Sequence, residues 1–255
     1  MTIRVMTFPN SFQSQRVQLF VTCIVDSLYP QVGRATVEVL ERLGLEVAFP
    51  EAQTCCAQPA YNGGFRDEAR QVALRFLDVF EPTAPDPIVC PSGSCAAMVV
   101  HGYADLFHDD PKTRRRVEAI AARTFEFSQF LVEVLGVTDV HAHFTRKLTY
   151  HPSCHLTRLL RVTAAPRTLL ANVRGAECVL LPGAEECCGF GGLFSVKHGE
   201  LSGAILDKKI ENIQATGAEA LVGCDMSCLM HMQGGLSRDG APIECLHLAE
   251  VLNQL

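Results

Sequence analysis

Residues 17–23 read VQLFVTC and residues 147–154 read KLTYHPSC, so twice along the chain a short apolar run leads straight into a cysteine. Downstream of Cys23 lie the adjacent pair Cys55-Cys56 and then Cys95; downstream of Cys154 lie Cys187-Cys188 and then Cys228. The copy-to-copy interval is 131 residues for the first cysteine, 132 for both members of the pair and 133 for the last. Spacing held that closely marks a duplicated unit with a fixed cysteine geometry, and an internal repeat of this length sets the architecture. It also sets the chemistry, because four thiolates gathered twice is the requirement of a pair of metal clusters.

The intervening sequence predicts how the cysteines meet. Val17–Val21 reads as a strand. Val32, Ala35, Val39, Leu40 and Leu43 recur at helical spacing before Gly44, a stop signal. Leu45–Phe49 reads as a second strand, Asp67–Phe80 as a helix and Ile88–Cys90 as a third strand. Each cysteine group thus follows a strand in a β-α-β-α-β series. The second half repeats this with strands at Lys147–Tyr150, Glu177–Leu181 and Ala220–Gly223, and helices at Pro166–Asn172 and Glu200–Ala215. Ile243–Cys245 and His247–Leu252 add a last strand and helix. Lys112–Leu135 reads as mainly helical, with Arg114, Arg115 and Arg116 on a solvated face.

The expectation is an α/β protein of two similar Rossmann-like lobes. Each is a mostly parallel sheet with crossover helices, and ligands collect at the carboxyl ends of the strands. The boundaries expected are a tail over 1–16, a first cysteine-rich domain over 17–143 and a second over 144–255.

Composition narrows the class. The chain has 255 residues, 48% hydrophobic and 20% charged, as a globular protein does. A net charge of −6 gives no electrostatic reason to expect nucleic acid or an anionic membrane as partner. No apolar run approaches the ~18 residues that span a bilayer, and no uninterrupted apolar core marks a signal peptide. A cytoplasmic location follows as an expectation, and there clustered thiols point to metal or redox work and not to structural disulfides.

A single cysteine is most often a small buried hydrophobe. Cys178 and Cys245, which lie in apolar strand candidates without a counterpart in the other half, are read that way. The eight repeated thiols are poor core material, since both adjacent pairs fall in loops punctuated by Gly and Pro, and neighbouring cysteines bridge only with strain. Structural zinc more often shows two short Cys-x-x-Cys knuckles or a Cys/His mixture, whereas all-thiolate ligation at sheet ends suits iron–sulfur clusters. Cys90 and Cys224, shortly before the last ligand of each copy, are candidate fifth ligands. His151 and His155 flank Cys154, but the first copy has no histidine there, which favours packing or hydrogen bonding over ligation. Gly189-Phe190-Gly191-Gly192 lacks dinucleotide spacing and serves instead to let backbone approach a bulky ligand.

Longer strings carry a resemblance: FVTC (20–23), CCAQPAYNG (55–63), PSGSC (91–95), YHPSC (150–154), ECCGFGGLFSVK (186–197), DMSCLM (225–230) and HLAEVL (247–252). Together they are similar to the cysteine-rich (CCG) domain family. That family includes a cysteine-rich component of heterodisulfide reductase and the iron–sulfur subunits of glycolate and anaerobic glycerol-3-phosphate oxidising systems. The closer match is its lactate utilization A group. The resemblance implies iron–sulfur clusters, [4Fe-4S] and one per half at most. Cys23, Cys55, Cys56 and Cys95 would ligate in the first half, and Cys154, Cys187, Cys188 and Cys228 in the second. It implies an electron-transfer subunit that works with lactate utilization proteins B and C to oxidise L-lactate to pyruvate. Thiol–disulfide catalysis at the cluster, or a zinc-stapled scaffold without redox function, are the alternatives. Two departures stand out: Ala57 follows the first pair where the family signature has glycine, and Cys90/Cys95 and Cys224/Cys228 are more widely spaced than in the heterodisulfide reductase relatives.

Overall fold

The computed structural model describes residues 15–255. Two four-stranded sheets form, and every strand pair in both is parallel. The first contains β1 (Arg16–Leu19), β2 (Glu46–Ala48), β3 (Ile88–Cys90) and β4 (Thr124–Glu126) in the order β2-β1-β3-β4. The second contains β5 (Lys147–His151), β6 (Glu177–Val179), β7 (Ala220–Gly223) and β8 (Glu244–His247) in the order β6-β5-β7-β8. The orders are the same relative to sequence, as duplication requires. The tail expected over 1–16 lies, apart from its last two positions, outside the described residues; Arg16 already belongs to β1 and pairs with the buried Asp86.

The crossover helices form where their apolar stripes predict. Helix Pro30–Arg42 buries Val32, Ala35, Val39 and Leu40, and helix Arg66–Phe80 buries Ala69, Ala73, Phe76, Leu77 and Phe80. Lys112–Leu135 is mainly helical, as expected, but not continuously so: helix Pro111–Ala121, capped by the Asp110 carboxylate, gives way to β4, a strand the sequence did not announce, before the chain turns helical again at Phe127. A strand of three residues is too short to show a period of two, and its identity comes from the pairing of Ile88, Val89 and Cys90 with Thr124, Phe125 and Glu126. Cys178 also departs from expectation. It is exposed, because β6 is an edge strand covered only in part, while Cys245 is half-buried against the second lobe's core. Arg116 on the basic helix pairs with Asp78 and Glu81.

The lobes meet at the carboxyl ends of their sheets. The Gly93 amide donates to the Cys224 carbonyl at 3.2 Å, and the Ser94 amide donates to Asp225 at 2.8 Å. One hydrophobic cluster runs through both lobes, from Val17 and Val39 to Leu148, Val222 and Val251.

Candidate metal centres

Each of the eight repeated cysteines lies on a loop or first helical turn just past a strand, three strands per lobe. Cys95 stands three residues past Ser92, whose hydroxyl accepts from the Cys95 amide and caps helix Gly93–Ala97. Cys228 stands three residues past Asp225, whose carboxylate caps helix Met226–Arg238. These two thiols therefore sit where helix dipoles favour negative charge. Cys23 opens helix Cys23–Leu28, entered through Thr22 at φ 74°.

The side chains converge into two quartets with the same internal order. In the first, Cys23 Sγ donates to Cys55 Sγ at 3.8 Å, Cys55 also contacts Cys56, and Cys56 contacts Cys95. In the second, Cys154 contacts Cys187, Cys187 contacts Cys188, and Cys188 contacts Cys228. Thiol hydrogen bonds from Cys23 and Cys56 hold Cys55 down to about 3, and those from Cys154 and Cys188 hold Cys187 well below an ordinary thiol. Their donors are pushed upward by the same contacts and by burial. In each quartet the first member of the adjacent pair is therefore the thiol most favoured as thiolate. A backbone amide supports that anion: Gly189 N donates to Cys187 Sγ at 3.3 Å, and Ala57 N, one repeat earlier, serves Cys55.

Cys90 and Cys224 stand apart from this pairing. Both are fully buried; the Cys90 thiol donates to the Ser92 carbonyl at 3.5 Å, and Cys224 Sγ lies 3.8 Å from the Tyr150 hydroxyl. His155 contacts Cys154 through Nδ1 at 3.6 Å.

Two further residues join the quartets: His151, which the sequence offered for packing or hydrogen bonding, and Tyr103, which it did not single out. His151 lies at the end of β5 with a ligand atom within 4.8 Å of those of Cys188 and Cys228. It is buried, both ring nitrogens are without a hydrogen-bond partner, and burial pushes it down to about 3, so the imidazole is neutral. Tyr103 is buried beside the first quartet, its hydroxyl equally without a partner, and its ionisation is opposed by burial and then by Cys56, Cys55 and Cys95. Buried donors left unmet are costly, about 1–3 kcal/mol each, so each points to an acceptor belonging in the quartet. Four thiols with an orphaned donor beside them fit a cluster whose inorganic sulfides accept hydrogen bonds.

A cavity of about 270 Å³ opens onto the first quartet. Cys23, Cys55, Cys56 and Cys95 line it on one side, and Phe190, Leu193 and Met226 of the second lobe on the other. None of the second quartet's thiols lines it.

The sequence model of the cysteine-rich domain (CCG) family matches residues 17–100 and 148–233, one match per lobe. Lactate utilization protein A of Exiguobacterium sp. is 53% identical over 238 residues, covering 93% of this chain and 97% of that protein. Its namesake in Geobacillus kaustophilus is 51% identical over the same share of this chain and 98% of its own length. The chain belongs to the lactate utilization A group of the cysteine-rich domain family. Among solved structures, a hypothetical protein from Helicobacter pylori superposes with a TM-score of 0.64 at 9% identity over 94% of this chain. The chain spans about half (49%) of that protein, and at that identity the likeness is one of fold. For this member of the cysteine-rich domain family, the two matched segments contain all eight thiols of the quartets.

Proposed function

We propose that each quartet holds one iron–sulfur cluster, of the [4Fe-4S] type, and that the chain is an electron-transfer subunit of a multi-protein system oxidising L-lactate to pyruvate. The observation that carries this reading is the repeated thiol order, 23–55–56–95 and 154–187–188–228, at the carboxyl ends of two matching parallel sheets. The lactate assignment rests on the names of relatives up to 53% identical over nearly the whole chain. Lactate utilization proteins B and C are the partners this implies, and residues 17–143 and 144–255 are the two cluster-binding units. No helix among the described residues is long and apolar enough to cross a membrane, and we place the protein in the cytoplasm.

The cluster, when bound, supplies one-electron storage. The protein's own residues do the rest. Cys55 and Cys187, already biased to thiolate, offer the first anionic ligands, and their partners release protons as ligation proceeds. The Gly189 and Ala57 amides donate to Cys187 and Cys55, and the buried Tyr103 and His151, otherwise unpartnered, would donate to the sulfur of a bound cluster and so orient it. The cavity beside Cys23 and Cys95 gives a redox partner or small reactant access to the first centre.

Anaerobically purified protein should be brown, bleach with dithionite, and contain acid-labile sulfide in the same amount as iron. The single chain, given an artificial acceptor, should not oxidise lactate. The mixed group of His151, Cys188 and Cys228 gives a zinc scaffold its best support. Colourless protein with stoichiometric zinc and no labile sulfide would establish that alternative.

A further inference from the structure

The repeat aligns His151 with Phe20, each at the carboxyl end of its sheet's first strand and three residues ahead of a quartet cysteine. The two side chains do opposite things. Phe20 packs edge-on to Phe76, 4.8 Å between ring centroids, and to Phe80, in an apolar cluster that also contains Cys56. His151 faces Cys188 and Cys228 with both nitrogens unsatisfied.

A second difference lies on the crossover helices. The buried side of helix Arg66–Phe80 is wholly apolar, whereas helix Gly199–Ala215 buries Lys209 among Leu206, Ile210 and Ile213. The Lys209 ammonium donates to the Gly183 carbonyl at 2.7 Å and to the Ala184 carbonyl at 3.3 Å, which tethers it to the loop carrying Cys187 and Cys188. Burial pushes the ammonium's pKa down, and Glu186, Cys188, Cys187 and Cys228 act against that and favour its charge. Fellow cysteines and burial dominate the thiols of both quartets, but His151 also acts on Cys187, whereas among the described residues no imidazole or cation is a main influence on the first-quartet thiols. A nearby cation and a hydrogen bond to sulfur both stabilise the more negative, reduced state of a cluster and so raise its potential.

We propose that the two centres are inequivalent by construction: Lys209 and His151 hold the second-lobe centre at the higher reduction potential, so that it takes up an electron before the first. This rests on the iron–sulfur reading above. The ordering runs from the cavity-facing centre toward the second one, which gives an electron entering at the cavity a downhill step within one chain.

The test is a mediated dithionite titration followed by EPR on wild-type protein and on Cys56→Ser and Cys188→Ser, each with its iron counted. Wild type should show two one-electron waves, the upper absent from Cys188→Ser and the lower absent from Cys56→Ser. Lys209→Gln, which keeps a donor for the Gly183 carbonyl but loses the charge, should lower the upper wave at least tenfold in its equilibrium, about 59 mV, and leave the lower wave in place. His151→Phe, which copies the first lobe, should shift the same wave in the same direction. Coincident waves, an upper wave lost in Cys56→Ser, or an upper wave unmoved by Lys209→Gln would overturn the proposal while the iron–sulfur reading stands. Wild-type protein that binds no iron would end both.

Discussion

Set side by side, the two quartets share their ligand frame and differ in what surrounds it. Behind Cys56 stand Phe20, Phe76 and Tyr103; near Cys188 stand His151 and Lys209. Duplication has preserved the thiols and the strand order, because a quartet fails if any member moves. The flanking side chains were free to diverge, and they diverged in polarity and charge, the two quantities that set a cluster's potential. The same holds beyond the fourth strand of each sheet. Glu126 caps the helix after β4 and His247 caps the helix after β8, both fully buried, and burial pushes them in opposite directions, Glu126 up to about 7 and His247 down to about 4.

The largest stability difference between the lobes should appear at the residue after each adjacent pair. Gly189 has φ 92°, and an added Cβ would lie 2.6 Å from the Ser202 carbonyl oxygen, which is backbone and cannot swing away. Gly189→Ala should therefore destabilise by roughly 3–4 kcal/mol, left-handed strain and overpacking together, in a denaturant titration. Ala57 occupies the matching position at φ 73° and is accommodated there, so the two positions should respond very differently to an exchange of alanine and glycine.

The capping residues should separate the lobes by pH. Between about pH 4.5 and 7 folded Glu126 holds a proton that the unfolded chain has lost, so its contribution makes stability fall as pH rises. Glu126→Gln should raise stability by about 3 kcal/mol at pH 8 and by nothing below pH 4.5. His247 works the other way. Between about pH 4 and 6.5 the unfolded chain gains a proton that the folded one refuses, so stability falls as pH drops. His247→Asn, which keeps a capping acceptor, should narrow the acid loss and leave pH 8 unchanged. Paired denaturant titrations at pH 5 and 8 check both signs.

Asp225 joins the lobes. It accepts from Ser227 of its own helix and from the Ser94 amide and the Ser92 hydroxyl of the other lobe. Asp225→Ala leaves the buried Ser94 amide unmet and should cost about 2 kcal/mol. Asp225→Asn, which retains an acceptor, should cost less. The smallest effect belongs to Ala57→Gly: relief of left-handed strain is offset by a more flexible unfolded chain, and the net change should stay within about 1 kcal/mol.

Much of this was legible in the sequence for a physical reason. Cysteines after strands, with helices between, leave the parallel order few alternatives, and the intervals between thiols preserve the duplicated frame. β4 was not legible, since three residues between two helical segments carry no pattern of their own and owe their strand to β3. The exposure of Cys178 was hidden because periodicity does not reveal which strand becomes an edge. His151 read as a packing or hydrogen-bonding residue because the first copy has no histidine near Cys23. The repeat offset that aligns it with Phe20 was the available signal. Lys209 left one too: it falls between Leu206 and Ile210 on the apolar stripe of its helix, where a cation needs a reason to be buried.

The most direct test of the central claim, two separate thiol quartets each built around iron, is a count of iron and acid-labile sulfide per chain in anaerobically prepared wild type, Cys56→Ser, Cys188→Ser and the double variant. The account predicts roughly eight of each in wild type for two four-iron clusters, half in either single variant and none in the double. Zinc in place of iron, or a single variant that empties both lobes while remaining folded, would contradict it.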